Sequence, residues 1–187
     1  MLTERFDDAL GYASRLHRTQ VRKGSEIPYV SHLLGVAAIA IELGADEDQA
    51  IAALLHDAVE DQGGAARLVD IRRRFGDDVA RIVSDCTDTD IEPKPPWRAR
   101  KEDYIASLNT KPERSLLVSL ADKTHNAGAI VADLHAHGDV VWSRFTGGKD
   151  GTLWYYRELS ATFARCLPGT GAFRFDRHVC EMETFAG

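Results

Sequence analysis

His56 and Asp57 stand side by side, with Glu60 and Asp61 close behind, in the run Leu54-Leu55-His56-Asp57-Ala58-Val59-Glu60-Asp61. An apolar stretch therefore leads straight into a crowd of carboxylates and an imidazole. Burying such groups is costly unless something neutralises them, and a divalent cation does so well. The run points to metal-centred hydrolysis. On a helix, residues four apart share a face, which sets Glu60 near His56 and Asp61 near Asp57. Adjacent His56 and Asp57 diverge by about 100° around a helix axis, so both reach one ion only if it sits off the helix between them. Two further candidates lie elsewhere: His32, just after Pro28-Tyr29-Val30-Ser31, and Asp122, in Leu120-Ala121-Asp122-Lys123-Thr124-His125-Asn126. Two histidines and two aspartates make a mixed nitrogen and oxygen donor set. Such a set suits Mn²⁺ or Fe²⁺, admits Zn²⁺, and lacks the thiolates of a structural zinc site.

The elements that must position these groups read as helices. Phe6, Ala9, Leu10, Ala13 and Leu16 recur at helical spacing and predict an opening amphipathic helix. A polar loop with Arg22 and Lys23 follows, Gln20 to Pro28. Ser31 is expected to cap a second helix ending at Gly44, and Asp46 with Gln49 reads as a capping box for a third. That third helix is expected to carry the His56-Asp57 motif through to Gly63-Gly64. Helices are also expected over 65–75 and 77–87, separated by Gly76, and over 98–108. Another runs from Pro112 toward Leu134, with Pro112 in its first turn, and a last one covers 152–167. The proline-rich stretch 88–96 reads as a loop, and the tail from Gly169 has no clear pattern. No segment alternates with period two. The expectation is one all-α domain over 1–187, a helical bundle with its core at about 6–167 and the tail 168–187 left open.

Bulk properties narrow the class. At 187 residues the chain suits one domain. Its formal charge of −6 argues against a broad nucleic-acid-binding face, which needs clustered Lys and Arg, but not against a small phosphorylated ligand. Cys86, Cys166 and Cys180 form no CxxC pair, and their odd number favours free thiols in a reducing compartment. The start, Met1-Leu2-Thr3-Glu4-Arg5-Phe6, is too polar for a signal peptide, and the longest apolar run, Leu33 to Ile41, is too short to span a membrane. A cytoplasmic protein without membrane or nucleic-acid partners is expected; oligomeric state cannot be read.

The order His32, His56-Asp57, Asp122 resembles the HD superfamily of metal-dependent phosphohydrolases. The segments Arg22-Lys23-Gly24-Ser25-Glu26-Ile27-Pro28-Tyr29-Val30-Ser31-His32, His56-Asp57-Ala58-Val59-Glu60-Asp61 and Leu120-Ala121-Asp122-Lys123-Thr124-His125-Asn126 are similar to the hydrolase domain of RelA/SpoT homologues, including its stand-alone small alarmone hydrolases. The resemblance implies an all-helical fold holding Mn²⁺ through His32, His56, Asp57 and Asp122. It implies hydrolysis of the 3′-pyrophosphate of (p)ppGpp, or of an adenosine counterpart, to pyrophosphate and the nucleoside di- or triphosphate. In that pattern Glu60 and Asp61 position or deprotonate the attacking water, Arg22 and Lys23 grip the substrate, and Asn126 contacts the nucleotide. Two positions depart from it. Gln62 stands where Thr is usual after the acidic pair, and Asn126-Ala127-Gly128 replaces Asn-Met-Arg or Asn-Leu-Arg. The second departure bears on base and phosphate recognition and leaves the metal set intact.

The assigned roles make physical sense. A carboxylate beside an activated water can accept its proton. Arg22 offers a planar fork and Lys23 a compact charge to offset a polyanion in an acidic site, while Asn126 offers both a donor and an acceptor. Trp154-Tyr155-Tyr156 reads mainly as core, with Tyr156 the one expected to face the nucleotide. His17 and His125 read as structural or peripheral, and Arg72-Arg73-Arg74 as a solvated face. Gly169-Thr170-Gly171 and Gly147-Gly148-Lys149 lack the spacing of phosphate-binding loops. Two other functions stay open on sequence alone: a phosphatase for another nucleotide such as NADPH, and a nucleotide-binding module without catalysis.

Overall fold

The helix α8 (Glu113–His137) is the element around which the other layers are arranged, touching α2, α3, α6, α9 and α10. In chain order the computed structural model gives α1 (Glu4–Leu16), α2 (Val30–Glu42), α3 (Glu47–Leu55), α4 (Ala58–Asp61), α5 (Gly64–Phe75) and α6 (Asp77–Cys86). Then come α7 (Trp97–Leu108), α8, a 3-10 turn (Gly138–Arg144), α9 (Gly148–Cys166) and α10 (Thr170–Thr184). Residues 1–87 and 95–185 are described. Among them there is no strand, only an isolated bridge from Val21 to Pro28 that closes the loop carrying Arg22 and Lys23. The fold is all-α. Most of the proline-rich loop expected over 88–96 lies outside the described residues.

Two apolar clusters meet along α8. One packs α1, α2, α3 and α6 against Val118 and Ala121, and the other packs α7, α9 and α10 against Leu116, Leu120, Ala127 and Leu134. Leu43, at the end of α2, contacts both. The spacing of α8 residues supplies each side with its own stripe, because residues three and four apart share a face.

The capping box that opens α3 forms as expected. The Asp46 side chain accepts from Gln49 N, and the Gln49 side chain accepts from Asp46 N, both at 2.9 Å; such a cap contributes about 1 kcal/mol. Arg114 donates to the same Asp46 carboxylate at 2.7–2.9 Å, so the starts of α3 and α8 are tied together. That tie sets the helix bearing Asp122 against the helix leading to His56.

Two expectations are corrected, and one segment left open is resolved. Ser31 does not cap α2; Tyr29 occupies the N-cap position with helical φ and ψ, and Ser31 is already inside the first turn. The third helix does not run unbroken to Gly63. It stops at Leu55, His56 and Asp57 form a turn, and α4 takes over at Ala58. The tail left open from Gly169 is helix α10, packed on α8 and α9 through Phe175, Val179 and Met182.

Candidate active site

The turn between α3 and α4 lets two adjacent side chains converge that a regular helix would splay. Asp57 has φ −93° and ψ −3°, a sparsely populated backbone region. Its Oδ2 accepts from Tyr29 OH at 2.5 Å, and it lies 3.1 Å from His56 Nε2. His32, from the first turn of α2, brings Nε2 to 3.5 Å from the same Asp57 oxygen. From α8, Asp122 Oδ1 stands 3.3 Å from His32 Nε2 and 3.5 Å from His56 Nε2. The donor atoms of His32, His56 and Asp57 all lie within 4.8 Å of one another. The four residues expected from sequence are thus drawn together from three elements far apart in the chain.

Ring contacts leave the same nitrogen of each histidine facing the carboxylates. His56 Nδ1 is 2.8 Å from Ala53 O, which can only accept, so Nδ1 carries a hydrogen and Nε2 is the nitrogen left to face the carboxylates. Buried His56 Nε2 has no hydrogen-bond partner; the nearby carboxylates are close but not aligned to accept from it. His32 Nδ1 contacts His125 Nδ1 at 2.9 Å. Burial, with His32 and Arg22 adding to it, lowers His125 to a pKa of about 4, so its ring is neutral, and with Nδ1 engaged there His32 turns Nε2 toward Asp57 and Asp122. Two imidazole Nε2 atoms and two carboxylates therefore face one another, an arrangement that a proton or a metal ion must hold together. This donor set fits a divalent metal.

The carboxylates enter charged. Burial works against ionisation of Asp57, yet His56 and His32 outweigh it and hold the carboxyl well below its usual range. For Asp122 burial is again opposed, first by Lys123, whose Nζ lies 2.7 Å from Oδ2, then by the two histidines. Asn126 Nδ2 donates to Asp122 Oδ1 at 2.6 Å and Arg22 donates to Asn126 Oδ1 at 2.8 Å, a relay from the basic loop to the donor cluster. Without metal, burial pulls His56 down, but Asp57 and Asp122 overcome it and keep the imidazole protonated well above its ordinary range. Metal entry must displace that proton. Affinity for a divalent ion, with Mn²⁺ as the probe, is accordingly expected to weaken from pH 7.5 to 6.5, by up to about tenfold for one competing proton. Calorimetric titration at the two pH values checks this, and a pH-independent affinity would show that His56 enters neutral.

Two adjoining clefts, each about 350 Å³, open beside the cluster and share Lys23, Phe145 and Tyr156. The first is walled by Arg22, Tyr29, His125, Asn126 and Arg144, among others. The second contains Asp57, Glu60 and Asp122 together with Lys23, Arg100, Lys101 and Lys123. Tyr156, buried on α9, is thus at the junction of both. Asp61 stands apart from Glu60. It is exposed, lines neither cleft, and its Oδ2 accepts from Gln20 at 2.8 Å. Gln62, in place of the usual Thr, donates to Gln20 Oε1 at 2.7 Å, so the departure at 62 builds the chain that draws Asp61 aside. The departure at Gly128 also finds a physical setting. A Cβ there would meet His178 of α10 at 3.5 Å, so this position faces α10 and lines neither cleft.

Sequence reasoning missed several participants. His125, read as peripheral, touches His32, and the signal was its place one turn from Asp122 beside Asn126. Tyr29 and Lys123 flank expected donors in sequence and bond to them in space. Arg100 and Lys101 carried no local signal, because only the packing of α7 on α9 brings them to the cleft.

The sequence profile of the HD domain family matches residues 9–153. The chain belongs to the HD domain family. Among similar members, a Streptomyces coelicolor GTP pyrophosphokinase is 39% identical over 61% of this chain and 13% of its own length. The guanosine-3′,5′-bis(diphosphate) 3′-pyrophosphohydrolase MESH1 of Xenopus tropicalis is 38% identical over 64% of this chain and 65% of its own length. This HD domain chain thus spans less than two thirds of either relative. A solved metazoan SpoT orthologue, described as hydrolysing ppGpp, superposes with a TM-score of 0.79 at 28% identity, covering 97% of each chain.

Proposed function

We propose that this HD domain protein is an alarmone pyrophosphohydrolase, cleaving the 3′-pyrophosphate of (p)ppGpp or a related nucleotide. The observation that carries the reading is the second cleft, where a cation-demanding cluster of two His and two Asp stands beside Glu60 and among Lys23, Arg100, Lys101 and Lys123. The activities named for the MESH1 relative and for the SpoT orthologue support it. His32, His56, Asp57 and Asp122 would hold one divalent ion, Mn²⁺ by donor type, with Fe²⁺ or Zn²⁺ compatible. Such an ion lowers the pKa of water and polarises a phosphoryl oxygen.

The chain's own residues do the rest. Glu60, facing the second cleft, accepts the proton of the attacking water. The water oxygen bonds to the phosphorus attached at O3′, the O3′–P bond breaks, and O3′ takes up a proton as pyrophosphate departs. Lys23, Arg100 and Lys101 offset the pyrophosphoryl charge, which a site rich in carboxylates would otherwise repel. Arg22 and Asn126 hold the nucleoside in the first cleft, with Tyr156 packed where the two clefts join. Asp61, tied to Gln20, steadies the α4 turn that presents Glu60. No helix among the described residues is long and apolar enough to cross a membrane, and a small anionic nucleotide in the cytoplasm fits the clefts.

Incubating the protein with Mn²⁺ and ppGpp, with products separated by anion exchange, tests this. Equal amounts of GDP and intact pyrophosphate are expected. Orthophosphate alone, or no turnover by protein shown to hold metal, would overturn the assignment.

A further inference from the structure

We propose that Asp133 and Arg144 form a guanine-reading pair at the outer end of the first cleft, making the chain selective for guanine over adenine nucleotides. The inference rests on reading the clefts as a nucleotide site, but not on hydrolysis.

One face of α8 leads from the chemistry to this pair. Asn126, Ala129, Ile130 and Asp133 all line the first cleft, at the three- and four-residue spacing that stacks side chains in a stripe. Asn126 and Asp133 are separated by about 10.5 Å along the helix at 1.5 Å per residue. That is the room a ribose and a base need when laid end to end. Between them Ile130 and, from across the cleft, Phe145 and Ile27 give apolar walls suited to the flat faces of a base. At the near end Arg22 and Asn126 are already bonded to each other beside the donor cluster. The base edge therefore points to the far end, at Asp133.

The pair waiting there is held from two sides. Arg144 Nη1 donates to Asp133 Oδ2 at 2.8 Å. The Arg144 stem lies across Gly24, where a Cβ would come within 2.8 Å of Arg144 Cδ and where φ is +75°. Glycine at 24 thus does two things: it takes a backbone conformation other residues resist, and it makes room for Arg144. A carboxylate is an odd neighbour for Arg22 and Lys23 if this end of the cleft received phosphate. It is apt for a guanine edge. N1–H and N2–H₂ are adjacent donors that one carboxylate accepts together, while O6 and N7 accept from a guanidinium. Adenine instead turns the N1 lone pair toward the carboxylate, leaving a charged acceptor facing an acceptor.

The competing description is a surface ion pair, since the side chains are 23% and 46% exposed. Such pairs contribute about 0–1 kcal/mol and confer no base preference. Calorimetric binding of GDP, IDP and ADP to the metal-loaded full chain separates the two. GDP is expected to bind at least about tenfold tighter than ADP, with IDP, which lacks the 2-amino group, between them. Asp133→Asn is expected to weaken GDP about tenfold and to leave ADP unchanged or improved, the retained ADP affinity showing that the variant is folded. Equal wild-type affinities for GDP and ADP, binding of neither, or an Asp133→Asn variant that loses both equally would each overturn the proposal. Failure to release pyrophosphate from ppGpp, with guanine preference intact, would remove the hydrolase reading and leave this pair standing; turnover without base preference would do the reverse.

Discussion

Glu60→Gln is expected to lower kcat for pyrophosphate release by about 10²–10⁴-fold, the usual loss when a general base is removed. Glutamine keeps the shape and much of the hydrogen bonding of glutamate but cannot take a proton. Glu60 lines the second cleft with Asp57 and Asp122, and the cluster of His32, His56, Asp57 and Asp122 supplies four donors without it. Mn²⁺ affinity should therefore change little while turnover falls. Metal titration alongside steady-state kinetics checks both halves, and a variant that turns over normally with bound Mn²⁺ would remove Glu60 from the role. Asp61→Asn makes the informative comparison. Its carboxylate accepts from Gln20 and lines neither cleft, so a smaller loss, roughly tenfold, is expected through a loosened α4 turn. An Asp61→Asn loss matching that of Glu60→Gln would mean that the two carboxylates exchange roles when substrate binds.

Gly35→Ala should do more damage than a change of one methyl suggests. In an isolated helix it would gain about 1 kcal/mol of propensity. Here a Cβ at position 35 would lie 2.1 Å from His125 Cδ2 and 2.3 Å from Nε2. No rotation of a methyl relieves that overlap, so His125 must leave and His32 loses the partner that fixes its tautomer. Removing such an outer partner of a metal-binding histidine typically costs 10–100-fold in metal affinity. The expected result is a lower melting temperature and Mn²⁺ binding weakened by about that factor. Adding His125→Ala to Gly35→Ala should restore melting, because the clash is gone, without restoring affinity, because the partner is gone too. If Gly35→Ala alone melts higher and binds Mn²⁺ normally, the two rings do not depend on each other.

The sequence carried the donor set because its residue types are rare companions of apolar helices, and His56-Asp57, His32 and Asp122 each interrupt such a stretch. The capping box at Asp46 and Gln49 was legible for a local reason: both partners lie within one turn. The turn at His56 and Asp57 was not legible. The residues around it are good helix formers without Gly or Pro, and what bends the chain there accompanies a contact across 28 positions, Tyr29 to Asp57. Gly35 shows the same limit. A glycine inside an apolar helix hints at a close approach, but nothing local names His125 as the group that approaches. Helical spacing set Asp61 near Asp57 and the family resemblance paired it with Glu60; its bond to Gln20, 41 positions away and itself held by Gln62, gives it another direction. The amphipathic α10 escaped because its periodicity begins directly after the glycines at 169 and 171.

The two apolar clusters that meet along α8 also divide what can change from what cannot. His32 on α2 and His56-Asp57 on the α3–α4 turn lie within the first cluster, while α8, which bears Asp122, packs in both. Arg100, Lys101 and Tyr156 ride on helices of the second. Substitutions that repack α7 or α9 can therefore reshape the second cleft while His32, His56 and Asp57 keep their places. A lineage with this architecture can explore new phosphorylated compounds one surface at a time, inheriting its chemistry unchanged.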